Sequence, residues 1–497
     1  MMKTVLFLVA TCLFAASTHA GSVGKVYIDT SGAEKARGAF ETGLAQLHNF
    51  EYPSAAKAFR EAQALDPSFA LAFWGEAMTH NHPIWMRQDR AAARDALAKL
   101  GESEQERLAK AKLPIEKDLM RAAHILYGDG DKHDRDDAYA EFMATLWERY
   151  PGHSEIGAFY ALAILGTAHE GRDYATYMRS AAVSTPLFDA YPEHPGIAHY
   201  LIHATDDPIH APLGYRAALA YSQIAPDAAH AQHMTSHIFL ALGLWDRTAT
   251  ANDRAIELVD GARAKSGAQS VGCGHYPSWQ MYAYLQQERF EDASRRMALC
   301  YERTAADENS WPSALYYMQG LYLFDTDDWD GEVAAYTLDR KHDPEDGFFR
   351  DYLAAVGALK RNQIDAEQKV ASALSAGDAA ISAMAEPDAS YSVHAGDRVE
   401  TMMLQLRGWL MEAKGEHDSA RDLLLAAVRI EDGLPFGYGP PSPPKPALEA
   451  LGEWLIAHKS YAEAAEVFEQ ALARTPNRRL ALRGLERAQA GDLVTRR

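Results

Sequence analysis

The sequence predicts an all-α protein built from helical hairpins stacked in series, and three observations predict it. Strand signals are nearly absent: few alternating β-branched runs occur, and Ala-rich helical periodicity runs throughout. One five-residue signature stands near both ends, where Tyr52, Ala55, Phe59, Ala62 and Pro67 have the spacing of Tyr461, Ala464, Phe468, Ala471 and Pro476. A histidine pair, His199 and His203, recurs 34 residues on as His233 and His237. A chain of 497 residues ordinarily splits into domains, but a stack of repeats grows by addition and needs no split.

Taken in order, residues 1–20 read as outside the stack. Met1 to Lys3 brings one positive charge, Val5 to Ala16 is an apolar run holding Cys12, and Ser17-Thr18-His19-Ala20 supplies small residues for cleavage. This is the pattern of a secretory signal peptide cut near Ala20, with an apolar run too short to span a bilayer. The expectation is an exported protein, periplasmic or secreted, with no membrane insertion.

Residues 21–432 read as the stack. In the hairpin at 40–67, Ala55 and Ala62 let helices approach closely and Pro67 stops the second helix. Residues 83–135, between His82-Pro83 and the turn-rich Gly128-Asp129-Gly130-Asp131, read as an insertion with helices off register. Further hairpins are expected around 154–187, 195–226, 311–338 and 399–430. Leu242-Gly243-Leu244-Trp245 is a turn between two helices with Ala255 at the small position, closing a His-rich pair of hairpins over 195–259. Phe290, Ala293 and Cys300 repeat that spacing.

Residues 433–446 carry too much Pro and Gly to be helical. Two readings are open: an exposed rigid linker, or a stiff strap across the groove with Phe436 and Tyr438 as contacts. Residues 447–497 form the last hairpin. Cys273 precedes the first helix of a hairpin and Cys300 comes late in the second, so antiparallel packing brings them near bridging range. A disulfide is one expectation, and Cys300 as a small packing residue is the other.

The signature and the 34-residue period resemble the tetratricopeptide repeat (TPR) superfamily, at 40–67 and 447–476 and through the register at 195–259. The resemblance implies a superhelix whose concave groove, lined by the first helix of each hairpin, binds peptides or other proteins. The 69 acidic against 49 basic residues give a net charge of −20, which argues against nucleic acid or anionic lipid as partners and for a neutral or cationic ligand.

Seven of the 20 histidines lie between 194 and 237. Counting back from the turn at Gly243, His230, His233 and His237 form a stripe on a first helix, on the groove side that the resemblance implies. One repeat earlier, His199, His203 and Asp206 form a parallel stripe, with Gly196 opposite His230 to leave it room. Helices pack about 8–10 Å apart, a gap that opposed imidazoles close on one ion. Neutral imidazole is the commonest transition-metal ligand. His199, His203, His233 and His237 are therefore the expected ligands of one or two Zn, Cu or Fe ions. Asp206 and His230 are the candidate catalytic groups, with helix-ending turn residue the other reading of Asp206.

His275, His80 and His82 are weaker candidates to reach the site, with Tyr276, Tyr282 and Trp74 as walls. The chain has no Gly-x-Ser-x-Gly, no phosphate-cradling loop and no His-Glu-x-x-His. Three functions follow: a metal-dependent oxidoreductase or hydrolase with a small-molecule or peptide ligand in the groove, a non-catalytic scaffold for a protein partner, or metal storage and delivery.

Overall fold

The computed structural model describes residues 22–310, 312–338, 343–386 and 393–495. The expected signal segment, with Cys12, lies outside them. Among the described residues are 23 α-helices and one two-residue β-ladder, so the fold is an all-α helical repeat. The hairpins run Glu34–His48 with Tyr52–Leu65, Ser154–Leu165 with Tyr174–Ala190, Pro195–Thr205 with Ala211–Ile224, and Ala229–Ala241 with Trp245–Lys265. They continue with His275–Gln286 and Phe290–Ala306, Pro344–Lys360 and Ala366–Met384, Ala395–Ala413 and His417–Gly433, and Ala447–Ala457 and Tyr461–Arg474.

The repeat signature has a direct packing meaning. Phe59 and Phe468 are buried where neighbouring helices cross. A Cβ at Gly75 would lie 2.3 Å from the Phe59 ring, and one at Gly484 would lie 2.3 Å from the Phe468 ring, so glycine is what lets each ring in. The hairpin turns share one device. Phe50, Gly243, Glu288, Asn362, Gly415 and Lys459 all have positive φ. In each case the next residue's N–H bonds back to a carbonyl five residues earlier, as Leu244 does to Phe239. This is a Schellman-type helix stop, which satisfies carbonyls the helix end leaves open.

Between Thr79 and Asp131 the register is interrupted. Asn81–His82 pairs with Arg87–Gln88 around the short turn Pro83–Trp85, and three helices follow, Arg90–Ala98, Glu104–Lys110 and Pro114–Leu126. The hairpin expected at 311–338 has only one α-helical arm, Ser313–Thr326; its second arm is the 3-10 turn Glu332–Ala335. The hairpin at 344–384 was not expected. Its second helix is Ala- and Ser-rich and carries none of the signature aromatics.

The stack does not stay open. Its last turn folds back onto the middle: Trp245 Nε1 donates to the Asn477 carbonyl at 2.9 Å, and Gly243 packs against Pro476. Arg478, 1% exposed, donates to Glu449, to the Tyr282 hydroxyl at 2.9 Å and to Asp325 at 3.3 Å. Tyr282 is thus a buried partner of this closure and not the groove wall that was expected. Trp74 is likewise buried, edge-on to Phe159 with ring centres 5.2 Å apart, and lines no groove.

Residues 434–446 are a strap, not an exposed linker. The Tyr317 hydroxyl donates to the carbonyls of Pro440 and Pro441, Gln405 donates to the Lys445 carbonyl, and Gly439 lies on the Trp279 ring. Phe436 lines a cavity of about 200 Å³ with Arg398, Glu431 and Arg474.

Cys273 and Cys300 form a disulfide across 27 residues. A closed loop of that length contributes about 3 kcal/mol in the chain-entropy model. Under denaturing, non-reducing conditions both thiols are expected to resist alkylation, and reduction is expected to lower the unfolding free energy by about that amount. Two reactive thiols at this pair before reduction would contradict the bridge.

Candidate metal centre

The Pro195–Thr205 and Ala229–Ala241 helices carry the histidines. Every residue from Pro195 to Thr205 and from His230 to Ala241 is buried, because these helices have neighbours on all sides. His199 and His203 stand one turn apart on one helix, as do His233 and His237 on the next. The His275–Gln286 helix adds His275, Tyr276 and Trp279 from the following hairpin.

The hydrogen bonds fix which nitrogen of each ring is free. His199 Nδ1 lies 2.7 Å from the His48 carbonyl, which only accepts, so Nδ1 carries the proton. His233 Nδ1 lies 2.7 Å from Asn252 Oδ1, and the Asn252 amide is oriented by donating Nδ2–H to the Thr248 carbonyl at 2.8 Å. His237 Nδ1 lies 2.6 Å from Asp206 Oδ2. All three rings therefore present a bare Nε2 lone pair, the tautomer that an oriented metal ligand adopts.

Those lone pairs converge. His233 Nε2 and His237 Nε2 are 3.1 Å apart, and His199 Nε2 is 3.2 Å from His230 Nε2. His203 Nε2 is buried with no hydrogen-bond partner. Two acceptors at 3.1 Å repel unless a cation lies between them. Ligands held about 2.0–2.1 Å from one ion sit about 3.0–3.4 Å from each other, so the spacing fits a shared ion.

A proton is a poor substitute for that cation. Burial, which disfavours the charged ring, pushes His199 down to about 3. Burial and then the neighbouring imidazoles hold His203, His230, His233 and His237 well below the usual histidine range. The rings are neutral at physiological pH, as ligands must be.

The predicted residues are brought together, with changes of role. His230, expected as a catalytic group, sits inside the cluster with its Nε2 3.2 Å from His199 Nε2. Asp206, the other catalytic candidate, has both oxygens engaged: Oδ2 takes the His237 proton and Oδ1 takes a guanidinium hydrogen of Arg172. It braces a ring instead of offering a free base. Gly196 makes room for His48 and not for His230, since a Cβ there would lie 2.3 Å from His48 Nδ1. His82 approaches only indirectly, stacked on Tyr52 at 4.0 Å and edge-on to Trp85, whose ring in turn meets His230.

Several contributors were missed. His48 and His194 both bond to the buried Glu155 carboxylate, at 2.8 and 2.9 Å, and His48 Nδ1 pairs with the Tyr200 hydroxyl at 2.9 Å. This network fixes the carbonyl that orients His199. Phe50, from its positive-φ turn, lays its ring 4.3 Å from His199. His237 is sandwiched between Trp279 at 4.5 Å and the strap residue Tyr438 at 5.2 Å. Trp85 and His275 are exposed and mark the solvent side.

No family model matches the sequence, and no curated protein matches it. Solved structures do align over 93% of the chain. They include yeast Tom70 (12% identical, 96% of that chain, TM-score 0.35) and human IFIT1 with m7Gppp-AAAA (12% identical, 91% of that chain, TM-score 0.35). The Cut9–Hcn1 hetero-tetramer of APC/C aligns at 11% identity over 77% of that chain, with a TM-score of 0.36. With TM-scores below 0.5 these likenesses carry no inference about function.

The neutral histidines set a pH dependence. A free histidine titrates near 6.5, whereas His199 in the fold titrates near 3, so below 6.5 the unfolded chain binds more protons than the native one. Stability of the metal-free protein is expected to fall as pH drops from 6.5 toward 3, by up to about 1.4 kcal/mol per pH unit for each such ring. Urea midpoints at about pH 7.5 and about pH 5 measure it, and His203→Phe should flatten the fall by one histidine's share. Equal midpoints would contradict neutral rings.

Proposed function

We propose that the chain is a metalloprotein whose inner helices hold transition metal on a histidine cluster that includes His199, His203, His233 and His237. One observation carries this reading. Two imidazoles, both with their Nδ1 proton committed elsewhere, point Nε2 lone pairs at each other across 3.1 Å in a buried site. The orphaned Nε2 of His203 supports it independently. An all-nitrogen donor set suits Zn, Cu or Fe, and the softness of imidazole disfavours Mg or Ca.

The exposure of His275 and Trp85 on one side of the cluster supports a metal-dependent enzyme acting on a small molecule. When bound, the metal would supply Lewis-acid or redox chemistry. The protein's part would be to orient the rings through His48, Asn252 and Asp206 and to keep water out with Phe50, Trp279 and Tyr438. The disulfide and the apolar segment near the N-terminus support export to an oxidising compartment, periplasmic or secreted.

A second reading, a non-catalytic scaffold that binds a protein or peptide partner, is favoured by the helical-repeat architecture itself. The third, metal storage or delivery, shares the metal site. Metal content separates the scaffold from the other two.

Protein purified without a His tag is expected to carry metal. His203→Ala and His237→Ala should each weaken metal binding at the ring's own site at least tenfold and so lower the metal content per chain, because removing one ligand opens the shell. His210→Ala should not, since its ring bonds to Asp207 instead. Elemental analysis that finds equal occupancy in all three variants would contradict the site. No metal under any loading condition would leave the scaffold reading in first place.

A further inference from the structure

The metal reading leaves open how many ions the cluster holds. Among the described residues, six rings of the cluster form two all-histidine sets of three, each with its nitrogens within 4.8 Å of one another, and His203 and His237 form a further set with Asp206 between them. His199, His203 and His230 form one, and His233, His237 and His275 form the other. We infer that the centre is binuclear, with one ion on each triad, and that it binds a small bridging ligand between them. This rests on the metal reading above and extends it.

The donor inventory is what divides the site. An ion on the first triad alone would leave His233 Nε2 and His237 Nε2 opposed at 3.1 Å with no proton and no cation between them. An ion on the second triad alone would leave His203 Nε2 buried without a partner. Either vacancy strands buried polar atoms, which native structures avoid. Two ions satisfy every one of them.

Asp206 lies across the boundary between the triads. Its Oδ2 accepts a hydrogen bond from His237 Nδ1 at 2.6 Å and lies 3.7 Å from His203 Nδ1, so one carboxylate faces a ring of each set. The buried Arg172 guanidinium, which also holds Asp207 and the His203 carbonyl, pins that carboxylate. The rings of His203 and His237 meet across that boundary, with centres 5.5 Å apart and perpendicular at 81°, as do those of His230 and His233 at 6.1 Å.

Three imidazoles leave each ion short of the four to six donors such ions prefer, and the missing donor is shared most simply as a bridge. Its size is limited by the aromatic shell. Phe50 stands 4.3 Å from His199, Trp279 stands 4.5 Å from His237, and Tyr438 covers the opposite face of that ring. The ligand class is therefore a one- to three-atom oxygen or nitrogen donor, such as hydroxide, a dioxygen-sized molecule or azide.

Copper(II) loading followed by electron paramagnetic resonance tests this, with azide as the bridging probe. A surface cluster of Glu412, His417 and His458, all within 4.8 Å of one another, must first be silenced, so the parent protein carries His417→Ala. The expected result is two coppers per chain by elemental analysis, with less than a tenth of them visible in the integrated resonance because the bridged ions couple. His275→Ala and His230→Ala, each checked for native helix content, should hold one copper per chain with its full resonance intensity. One copper per chain in the parent would overturn the binuclear assignment and leave the metal reading standing. Two fully visible coppers would overturn the bridge, and no copper at all would overturn both.

Discussion

The direction of a proton governs this protein. In His199, His233 and His237 the Nδ1–H is committed to a fixed acceptor, respectively a backbone carbonyl, an amide oxygen and a carboxylate. Each commitment turns the opposite face of the ring into a bare donor. Each acceptor is itself held: His48 by Glu155 and Tyr200, Asn252 by the Thr248 carbonyl, and Asp206 by Arg172. Buried imidazoles without such an arrangement would pair with one another or with water. Here the hydrogen bonds run outward from the cluster, and the lone pairs are left to face inward.

The fold supplies the stiffness this needs. Glycines under Phe59 and Phe468 let the hairpins pack closely, and the Arg478 network closes the last turn against Tyr282 and Asp325. An open superhelix flexes along its length, whereas a stack tied end to middle resists opening. The strap adds a lateral wall, and its Tyr438 ring covers His237 directly. The architecture thus encloses the histidine cluster among the aromatic rings of Phe50, Trp279 and Tyr438.

What the sequence revealed follows from which features are local. The 34-residue recurrence of His199 and His203 is a matter of helical register, so the two rows of rings and their shared side were legible. The tyrosine–alanine–phenylalanine signature likewise announced the first and last hairpins. Partners remote in the chain were not legible: Glu155 meets His48 across 107 residues, and no local pattern announces it. Gly196 was assigned to the wrong ring because register alone says nothing of a helix arriving from residue 48. Periodicity places Tyr282 and Trp74 on a helix face but cannot say that residues remote in the chain, Arg478 and Phe159, cover them. One signal was available and passed over: Asn252 is a polar residue on a buried alanine face, beside Ala249, Ala251 and Ala255.

Anomalous diffraction from metal-loaded crystals tests the location of the metal most directly. Maps collected on either side of the absorption edge should give peaks bounded by the Nε2 atoms of His199, His203 and His230 and by the ring nitrogens of His233, His237 and His275. Nitrogen distances should be about 2.0–2.1 Å. A map with no peak at these rings, and with His233 and His237 moved apart to bond to water, would contradict that location.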